Sequence, residues 1–256
     1  MSDHPIFPDL AGASVFITGG GSGIGADLTE GFLQQGSRVA FVQRSDASAF
    51  CNEMERRTGN RPLFLPCDIT DTAGLKSAIE AAAQAHGPVR VLINNAANDQ
   101  RHETLEIDEA FWDASMAINL KSYFFAAQAV IPGMQAAGGG SIVNMSSISY
   151  MMADCGYAPY ITANAGITGL TRTLAREFGP DNIRANAVMP GMVVTDRQLE
   201  KWLTPENMEA QIDRQCLKRT LSPDDMVGGV LFLASSASAA MTAQALVLDG
   251  GVVTTG

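Results

Sequence analysis

The chain has 256 residues, of which 46% are hydrophobic and 17% are charged, and its formal net charge is −10. This length and apolar content suit a single α/β domain with a large core, and the negative charge argues against binding to nucleic acid. The absence of a membrane-span pattern, a signal peptide, a CxxC pair and a histidine metal motif predicts a cytoplasmic protein with free thiols and no metal site.

Strand-like and helix-like segments alternate along the chain. Predicted strands cover residues 14–20, 38–44, 62–68, 89–97, 139–147, 183–191 and 245–251. Predicted helices cover residues 24–36, 47–60, 72–87, 108–137, 157–179 and 223–236. Because the strands are apolar almost throughout and alternate with helices, they predict one parallel sheet that is covered on both faces. The expected architecture is a single-domain, Rossmann-like, doubly wound α/β fold with a seven-stranded parallel sheet over residues 1–256.

One segment, residues 192–222, has no clear core pattern. It is rich in polar and amphipathic residues and follows the end of the sixth predicted strand. Segments of this kind at the end of a strand often cover a substrate, so we predict a substrate lid here.

The turn after the first strand is rich in glycine. Its sequence, TGGGSGIG, covers residues 18–25 and opens the first helix. Glycines permit a tight turn and a close approach of the backbone to a pyrophosphate, and the helix N-terminus supplies free N–H groups and partial positive charge. A glycine cluster alone is a weak signal, but between the first strand and the first helix it indicates a dinucleotide site. We assign to this site Gly19, Ser22, Gly23, Ile24 and Gly25.

The end of the second strand bears on the choice between NAD and NADP. An acidic residue there would bind the adenosine ribose hydroxyls of NAD, but this chain has Gln43 and Arg44. A guanidinium at Arg44 matches the geometry of the 2′-phosphate of NADP. Asp46 lies nearby, and a solvated loop cation is the alternative interpretation of Arg44. The sequence therefore favours NADP slightly over NAD.

Several motifs together resemble the short-chain dehydrogenase/reductase family. The first of these motifs is the glycine-rich turn. The others are Asp68 after the third strand, Asn94-Asn95-Ala96-Ala97 after the fourth, Asn119, Ser147, Tyr160, and Pro190-Gly191 after the sixth. The match covers nearly the whole chain, and the separation between Ser147 and Tyr160 suits the family. The segments AANDQRH, KWLTPE, QCLKR and LFLAS look similar to sugar-oxidising members, the D-xylose and related aldose or sugar-acid dehydrogenases.

The resemblance implies where the parts of the cofactor would lie. It assigns the adenine to Asp68 and Ile69, the central part to Asn95, Ala96 and Ala97, and the nicotinamide end to Pro190, Gly191, Val193 and Thr195. The family usually has glycine at the positions of Ala97 and Ala243. Each change adds one methyl group, so we expect small adjustments there.

The resemblance also implies catalytic roles. Tyr160 would exchange the proton of the alcohol, Ser147 would hydrogen-bond the substrate oxygen, and the backbone of Asn119 would hold a relay water. A tyrosine can act as a base only if its pKa falls well below about 10, and the family's lysine, four residues further on, lowers it. Asn164 stands at that position, on the same helix face, and cannot supply the charge. Losing a shift of about 3 units corresponds to about 4 kcal/mol less phenolate stabilisation, which slows the reaction by orders of magnitude.

Three explanations of Asn164 stay open. It is a natural departure with slow or high-pH catalysis, an engineered change that traps a complex, or the mark of a dinucleotide-binding protein without turnover. Lys121 and Arg172 offer no evident replacement for the missing charge. The presence of Ser147, Tyr160 and Asn119 favours an enzyme whose activity is reduced.

Further side chains are expected at the carboxyl ends of the strands, where ligands bind in such sheets. The candidate substrate residues are Asn98, Arg101, Ser149, Met192, Gln198 and Trp202. Arg101 or Arg197 could bind a substrate carboxylate, or either could form a surface ion pair. We expect His102 to be a hydrogen-bonded loop residue. This polar mixture favours a sugar or sugar acid, and a cyclic ketone or a keto-acyl group is the alternative.

The helices predicted at residues 110–136 and 157–178 are apolar on more than one face. One face would cover the sheet, and the other needs a partner. The family packs these two helices in a four-helix interface, so the resemblance implies a homotetramer.

Overall fold

The computed structural model describes residues 4–201 and 203–254. Its seven strands form one parallel sheet in the order β3-β2-β1-β4-β5-β6-β7. They are β1 (Ser14–Thr18), β2 (Arg38–Gln43), β3 (Leu63–Pro66), β4 (Val91–Asn94), β5 (Gly140–Met145), β6 (Ile183–Pro190) and β7 (Ala245–Leu248). The predicted doubly wound α/β fold is confirmed. The strand order reverses between β1 and β4, so the ligand crevice of such a sheet lies at the carboxyl ends of these two strands.

Helices cover both faces of the sheet. In the described residues they are α1 (Gly23–Gln34), α2 (Ser48–Thr58), α3 (Thr72–His86), α4 (Glu109–Met116), α5 (Ser122–Ala136), α6 (Ala158–Phe178), α7 (Asp196–Lys201), α8 (Pro205–Arg214) and α9 (Asp224–Ala234). The first face packs against α1, α2 and α9, and the second against α3, α5 and α6. None of these helices, within the described part of the chain, is long and apolar enough to cross a bilayer.

The core on each face follows from the alternation of side chains along the strands. In β1, Val15 and Ile17 point to the first face and Phe16 points to the second, and all three are fully buried. Burying each such side chain contributes about 1.5–3 kcal/mol. Continuous apolar strands are therefore needed for a sheet that is covered on both sides.

The helix predicted at residues 108–137 is interrupted. A π-helical turn, residues 117–121, separates α4 from α5 and contains the buried Asn119. The apolar spacing on both sides is compatible with a continuous helix, so the sequence pattern did not reveal the interruption. Such π-bulges occur frequently at functional sites.

The lid segment, residues 192–222, contains two helices that the sequence analysis missed. Helix α8 nevertheless has recognisable start signals, because Thr204 accepts a hydrogen bond from the Asn207 backbone N–H (3.3 Å) and Pro205 is the first helical residue. Both ends of the segment meet at a bridge between Val193 and Leu221. The role of this segment as a lid stays a prediction.

Candidate active site

The phosphate loop, residues 18–25, has the backbone shape that its glycines predict. Gly19 and Gly23 have φ angles of 69° and 52°, in the left-handed region that favours glycine. A Cβ atom on Gly25 would lie 1.9 Å from the carbonyl oxygen of Gly19. In the described structure Ser22 does not cap α1 with its side chain, and the first turn contains no acidic residue. The N–H groups at this helix terminus are therefore positioned for an anion, and the loop fits a dinucleotide pyrophosphate.

Hydrogen bonds join the phosphate loop to the post-β4 loop, residues 95–103. The Thr18 hydroxyl accepts from the backbone N–H groups of Asn95 (2.9 Å) and Ala96 (3.1 Å). The Asn95 amide donates to the carbonyl oxygens of Thr18 (3.2 Å) and Gly19 (3.1 Å). Ala97 is exposed at the crevice. Two of the predicted cofactor residues, Asn95 and Ala96, therefore lie beside the glycine-rich turn, and Ala97 follows them in the loop.

The residues predicted for the adenine end lie at the ends of β2 and β3. Asp68 accepts from the N–H (2.9 Å) and hydroxyl (2.8 Å) of Thr70, and these bonds, with a smaller contribution from Arg44, hold the pKa of the Asp68 carboxyl below its usual range. Arg44 lies 3.9 Å from Asp68, and its side chain is 77% exposed. An exposed ion pair of this kind contributes little to the stability of the protein, so Arg44 can leave Asp68 and bind a phosphate at little cost. Ile69 packs against the second core.

The residues predicted for the nicotinamide end follow β6. Pro190 ends the strand, and a Cβ atom on Gly191 would lie 2.8 Å from the Cα of Asp249. Val193 is buried, and the methyl group of Thr195 lies 3.5 Å from the position of a Cβ on Gly23. Residues 190–195 thus come close to the phosphate loop at Gly23, whereas the post-β4 loop contacts it at Gly19.

Tyr160 lies in the first turn of α6, and Ser147 lies two residues after the end of β5. Burial raises the pKa of Tyr160 above its usual value, and the Asp99 carboxylate raises it further. Hydrogen bonding by Ser147 and Asn164 and the charge of Arg197 lower that pKa, but by less. The phenol is therefore held in its neutral form at neutral pH.

Asn164 lies one helical turn beyond Tyr160 and is 2% exposed. Its side-chain amide donates to the backbone carbonyl oxygen of Tyr160 at 2.9 Å, so it turns back along its own helix. Lys121 and Arg172 are exposed, and neither is among the charged groups that affect the pKa of Tyr160 in the described structure. The position of the family's lysine thus has no cation.

Asn119 fixes the post-β4 loop. Its carboxamide accepts from the Asn98 backbone N–H (2.8 Å) and donates to the Asn98 carbonyl oxygen (3.0 Å) and to the Ser115 hydroxyl (3.1 Å). This double contact with one peptide unit positions the residues that follow it. The π-bulge turns Asn119 toward this loop.

An aromatic stack that the sequence analysis missed lies against Tyr160. The rings of Tyr157 and Tyr160 have centroids 5.5 Å apart and an interplanar angle of 21°. The Tyr157 hydroxyl donates to Asp154 (2.9 Å), and the Arg101 guanidinium lies 4.6 Å from the Tyr157 ring centre. Burial, reinforced by Asp154, raises the pKa of Tyr157. The available signal was the presence of two tyrosines three positions apart, one directly before α6 and one in its first turn.

The predicted substrate residues converge from two segments. Gln198 donates to Asp99 (2.7 Å), and Arg197 donates to the side chain of Asn98 (2.5 Å). Arg197 also lies 3.4 Å from Asp99. These contacts join α7 of the lid segment to the post-β4 loop, and they favour the ion-pair interpretation of Arg197.

The other candidates that the structure describes differ in burial and contacts. Ser149 is buried beside Ser147, and its hydroxyl has no hydrogen-bond partner among the described residues. Met192 is partly buried at the start of the lid segment, whereas Trp202 lies outside the described residues. His102 contacts the Glu103 carbonyl oxygen (3.1 Å) and packs against Phe111, as expected for a hydrogen-bonded loop residue.

Ala243 is more constrained than the sequence analysis expected. Its φ angle is 62°, in the left-handed region that a side chain with Cβ enters at a cost of about 1–2 kcal/mol. Its backbone N–H is held by the Ala185 carbonyl oxygen at 2.8 Å, so the residue cannot relax easily. The expectation of a small adjustment is therefore wrong at this position.

We predict that Ala243→Gly stabilises the protein. The gain from relieving the φ angle exceeds the entropy that glycine loses on folding, so the free energy of unfolding should rise by about 0.5–1 kcal/mol. Thermal denaturation should show an increase of about 1–3 °C in the melting temperature. Ala239→Gly, at an ordinary φ of −55°, is the matched control and should destabilise slightly.

Comparison with known proteins agrees with this geometry. A family model described as "Enoyl-(Acyl carrier protein) reductase" matches residues 19–253. A probable galactose dehydrogenase of Rhizobium meliloti is 51% identical over 248 residues, which cover 96% of this chain and 97% of that protein. The chain belongs to the short-chain dehydrogenase/reductase family. It is thus placed among NAD(P)-dependent oxidoreductases.

Other members of the short-chain dehydrogenase/reductase family are also similar. The D-xylose 1-dehydrogenase of Caulobacter vibrioides is 43% identical over 247 residues, which cover 96% of this chain and 98% of that one. The crystal structure of L-sorbose reductase from Gluconobacter frateurii, complexed with NADPH and L-sorbose, has a TM-score of 0.89 at 26% identity. The matched region covers 96% of this chain and 99% of the L-sorbose reductase chain.

Proposed function

We propose that this short-chain dehydrogenase/reductase transfers hydride between a sugar or sugar acid and NAD(P), at a carbon that bears a hydroxyl or carbonyl group. The observation that most supports the substrate class is the 51% identity to a probable galactose dehydrogenase over 96% of the chain. The crevice beside Tyr160 agrees with it, because polar side chains from the post-β4 loop and the lid segment converge there.

In the proposed reaction, residues of the chain bind the substrate oxygen and transfer the proton. Bound NAD(P) supplies the hydride acceptor for oxidation. Ser147 hydrogen-bonds the substrate oxygen, Tyr160 takes the hydroxyl proton, and the backbone at Asn119 holds a water that passes the proton on. Because the pKa of Tyr160 is raised, the phenolate forms only at high pH, and the rate of oxidation should increase as the pH rises.

The experiment is a panel of aldoses, alditols and sugar acids, assayed for reduced cofactor from pH 7 to pH 11. D-Galactose and D-xylose should be oxidised, with the highest rates at alkaline pH. Cofactor binding without product from any sugar would support the non-catalytic alternative. Turnover limited to cyclic ketones or keto-acyl compounds would support the reductase alternative.

We also propose a slight preference for NADP over NAD. It is supported by the exposed guanidinium of Arg44 and by the carboxamide of Gln43, which stands where NAD-binding chains have an acidic residue.

Arg44→Ala should therefore lower kcat/KM with NADP about tenfold or more and leave kcat/KM with NAD nearly unchanged, because only NADP presents a 2′-phosphate. Steady-state kinetics with both cofactors measure this ratio. Arg61→Ala, which removes an exposed arginine that pairs with Glu55, is the matched control. An equal loss with both cofactors would contradict the preference.

A homotetramer is a further part of the proposal. Trp112 and Phe124 are 38% and 43% exposed on α4 and α5, although both are large and apolar. Light scattering should give four times the chain mass of 27.0 kDa, and a monomer would contradict it. The four described cysteines are free, which suits the proposed cytoplasmic location.

A further inference from the structure

The post-β4 loop contains a carboxylate, Asp99, to which the proposed reaction assigns no role. Its side chain is 17% exposed, and the loop is fixed because Asn119 binds both backbone groups of Asn98. One carboxylate oxygen accepts from Gln198 at 2.7 Å, and the other lies 3.4 Å from Arg197. A carboxylate has about four lone-pair sites, so these two contacts leave acceptor capacity for a further donor in the crevice.

Asp99 acts on the reacting oxygen of Tyr160. Its carboxylate raises the pKa of Tyr160 more than the guanidinium of Arg197 lowers it. A second carboxylate, Asp154, accepts from Tyr157, whose ring stacks on Tyr160. A substrate that reaches the phenol therefore meets a carboxylate whose effect on the Tyr160 oxygen outweighs that of Arg197.

The two arginines that could bind a substrate carboxylate are already engaged. Arg197 donates to Asn98 and pairs with Asp99, and Arg101 lies over the ring of Tyr157. Binding an anion with either arginine would require breaking these contacts. The crevice thus contains hydrogen-bond acceptors for hydroxyl groups, whereas Arg101 and Arg197 already contact other groups of the protein.

From these contacts we infer that Asp99 determines substrate specificity by accepting a hydrogen bond from a hydroxyl of an uncharged polyhydroxy substrate and by repelling substrates that carry a carboxylate. The inference rests on the proposed sugar oxidation and narrows it to uncharged sugars. A second negative charge in a partly desolvated crevice is repelled strongly, and such repulsion is an effective source of specificity.

The test compares galactitol and D-galactonate as competitive inhibitors of aldose oxidation. These six-carbon compounds differ at one end, where galactitol has a CH₂OH group and galactonate has a carboxylate. In the unaltered protein galactitol should bind at least tenfold more tightly. Asp99→Asn should reduce this ratio of inhibition constants at least tenfold. Asparagine can still accept from Gln198, so the contact with α7 is retained.

Two further variants make the result specific to the charge. Asp99→Glu keeps the negative charge and should keep the discrimination against galactonate, even if a displaced carboxylate slows aldose oxidation. Glu103→Gln removes a charge from an exposed position of the same loop and should leave the ratio unchanged. Cofactor dissociation constants and melting curves establish that each variant is folded.

The results distinguish a failure of the inference about Asp99 from a failure of the proposed function. If Asp99→Asn changes both inhibition constants by the same factor, Asp99 only holds the lid segment and the inference is overturned. Equal inhibition by both compounds in the unaltered protein also overturns it, while aldose turnover would still support the proposed function. A complete lack of sugar oxidation overturns both.

Discussion

Asn164→Lys should raise kcat/KM for aldose oxidation at pH 7 by roughly 100- to 1,000-fold. An ammonium one helical turn from Tyr160 favours the phenolate, and lowering the pKa by 2–3 units corresponds to this gain in rate. The present asparagine supplies only an uncharged amide, which donates to the Tyr160 backbone carbonyl oxygen and whose hydrogen bonding lowers the pKa of the phenol by less than burial raises it. Rates measured from pH 6 to pH 11 should show the rising limb of the profile displaced to lower pH.

Asn164→Met is the matched control, because methionine has an unbranched side chain of similar reach without a charge. It should not accelerate the reaction or displace the pH profile. If methionine and lysine have the same effect, the missing charge does not limit the reaction, and Tyr160 must be activated in another way.

Tyr160→Phe should reduce kcat by about 10²–10⁴-fold, the range of general acid–base catalysis. Phenylalanine keeps the ring that packs on Tyr157 and removes only the hydroxyl that exchanges the proton. The dissociation constant of the cofactor, measured by fluorescence or calorimetry, should change little. A large loss of cofactor affinity would instead mean that the phenol is part of the cofactor site.

Tyr157→Phe is the control for this substitution. It removes the hydrogen bond to Asp154 and retains the stacked ring, so we expect a much smaller loss of kcat. If both variants lose activity equally, stacking and loop order rather than proton transfer explain the effect of Tyr160.

The backbone features of the candidate site that the sequence predicted depend on local chemistry. Glycine at positions 19, 23 and 25 follows from the turn and the close approach of backbones within one βα unit. The carboxyl ends of parallel strands meet at one edge of a sheet, so the sequence alone predicts that Asn95, Ser147 and Pro190 lie on that edge. The expectation at Ala243 was wrong because the sequence does not reveal that this residue has a positive φ angle.

Contacts between distant segments could not be predicted in this way. Asp99 and Gln198 are 99 positions apart, and their hydrogen bond depends on where the lid segment folds. The π-bulge at Asn119 leaves the apolar spacing of its helix compatible with a regular one, and it matters because the side chain then reaches Asn98.

By itself, the sequence determined the doubly wound sheet, the phosphate loop and the lack of a lysine beside Tyr160. These follow from periodicity, glycine positions and helical spacing, which act over a few residues. Only the tertiary structure decided which charges act on the phenol, because Asp99 and Arg197 reach it from two different segments. Electrostatic effects depend on distance and burial, and neither is a property of the chain until it has folded.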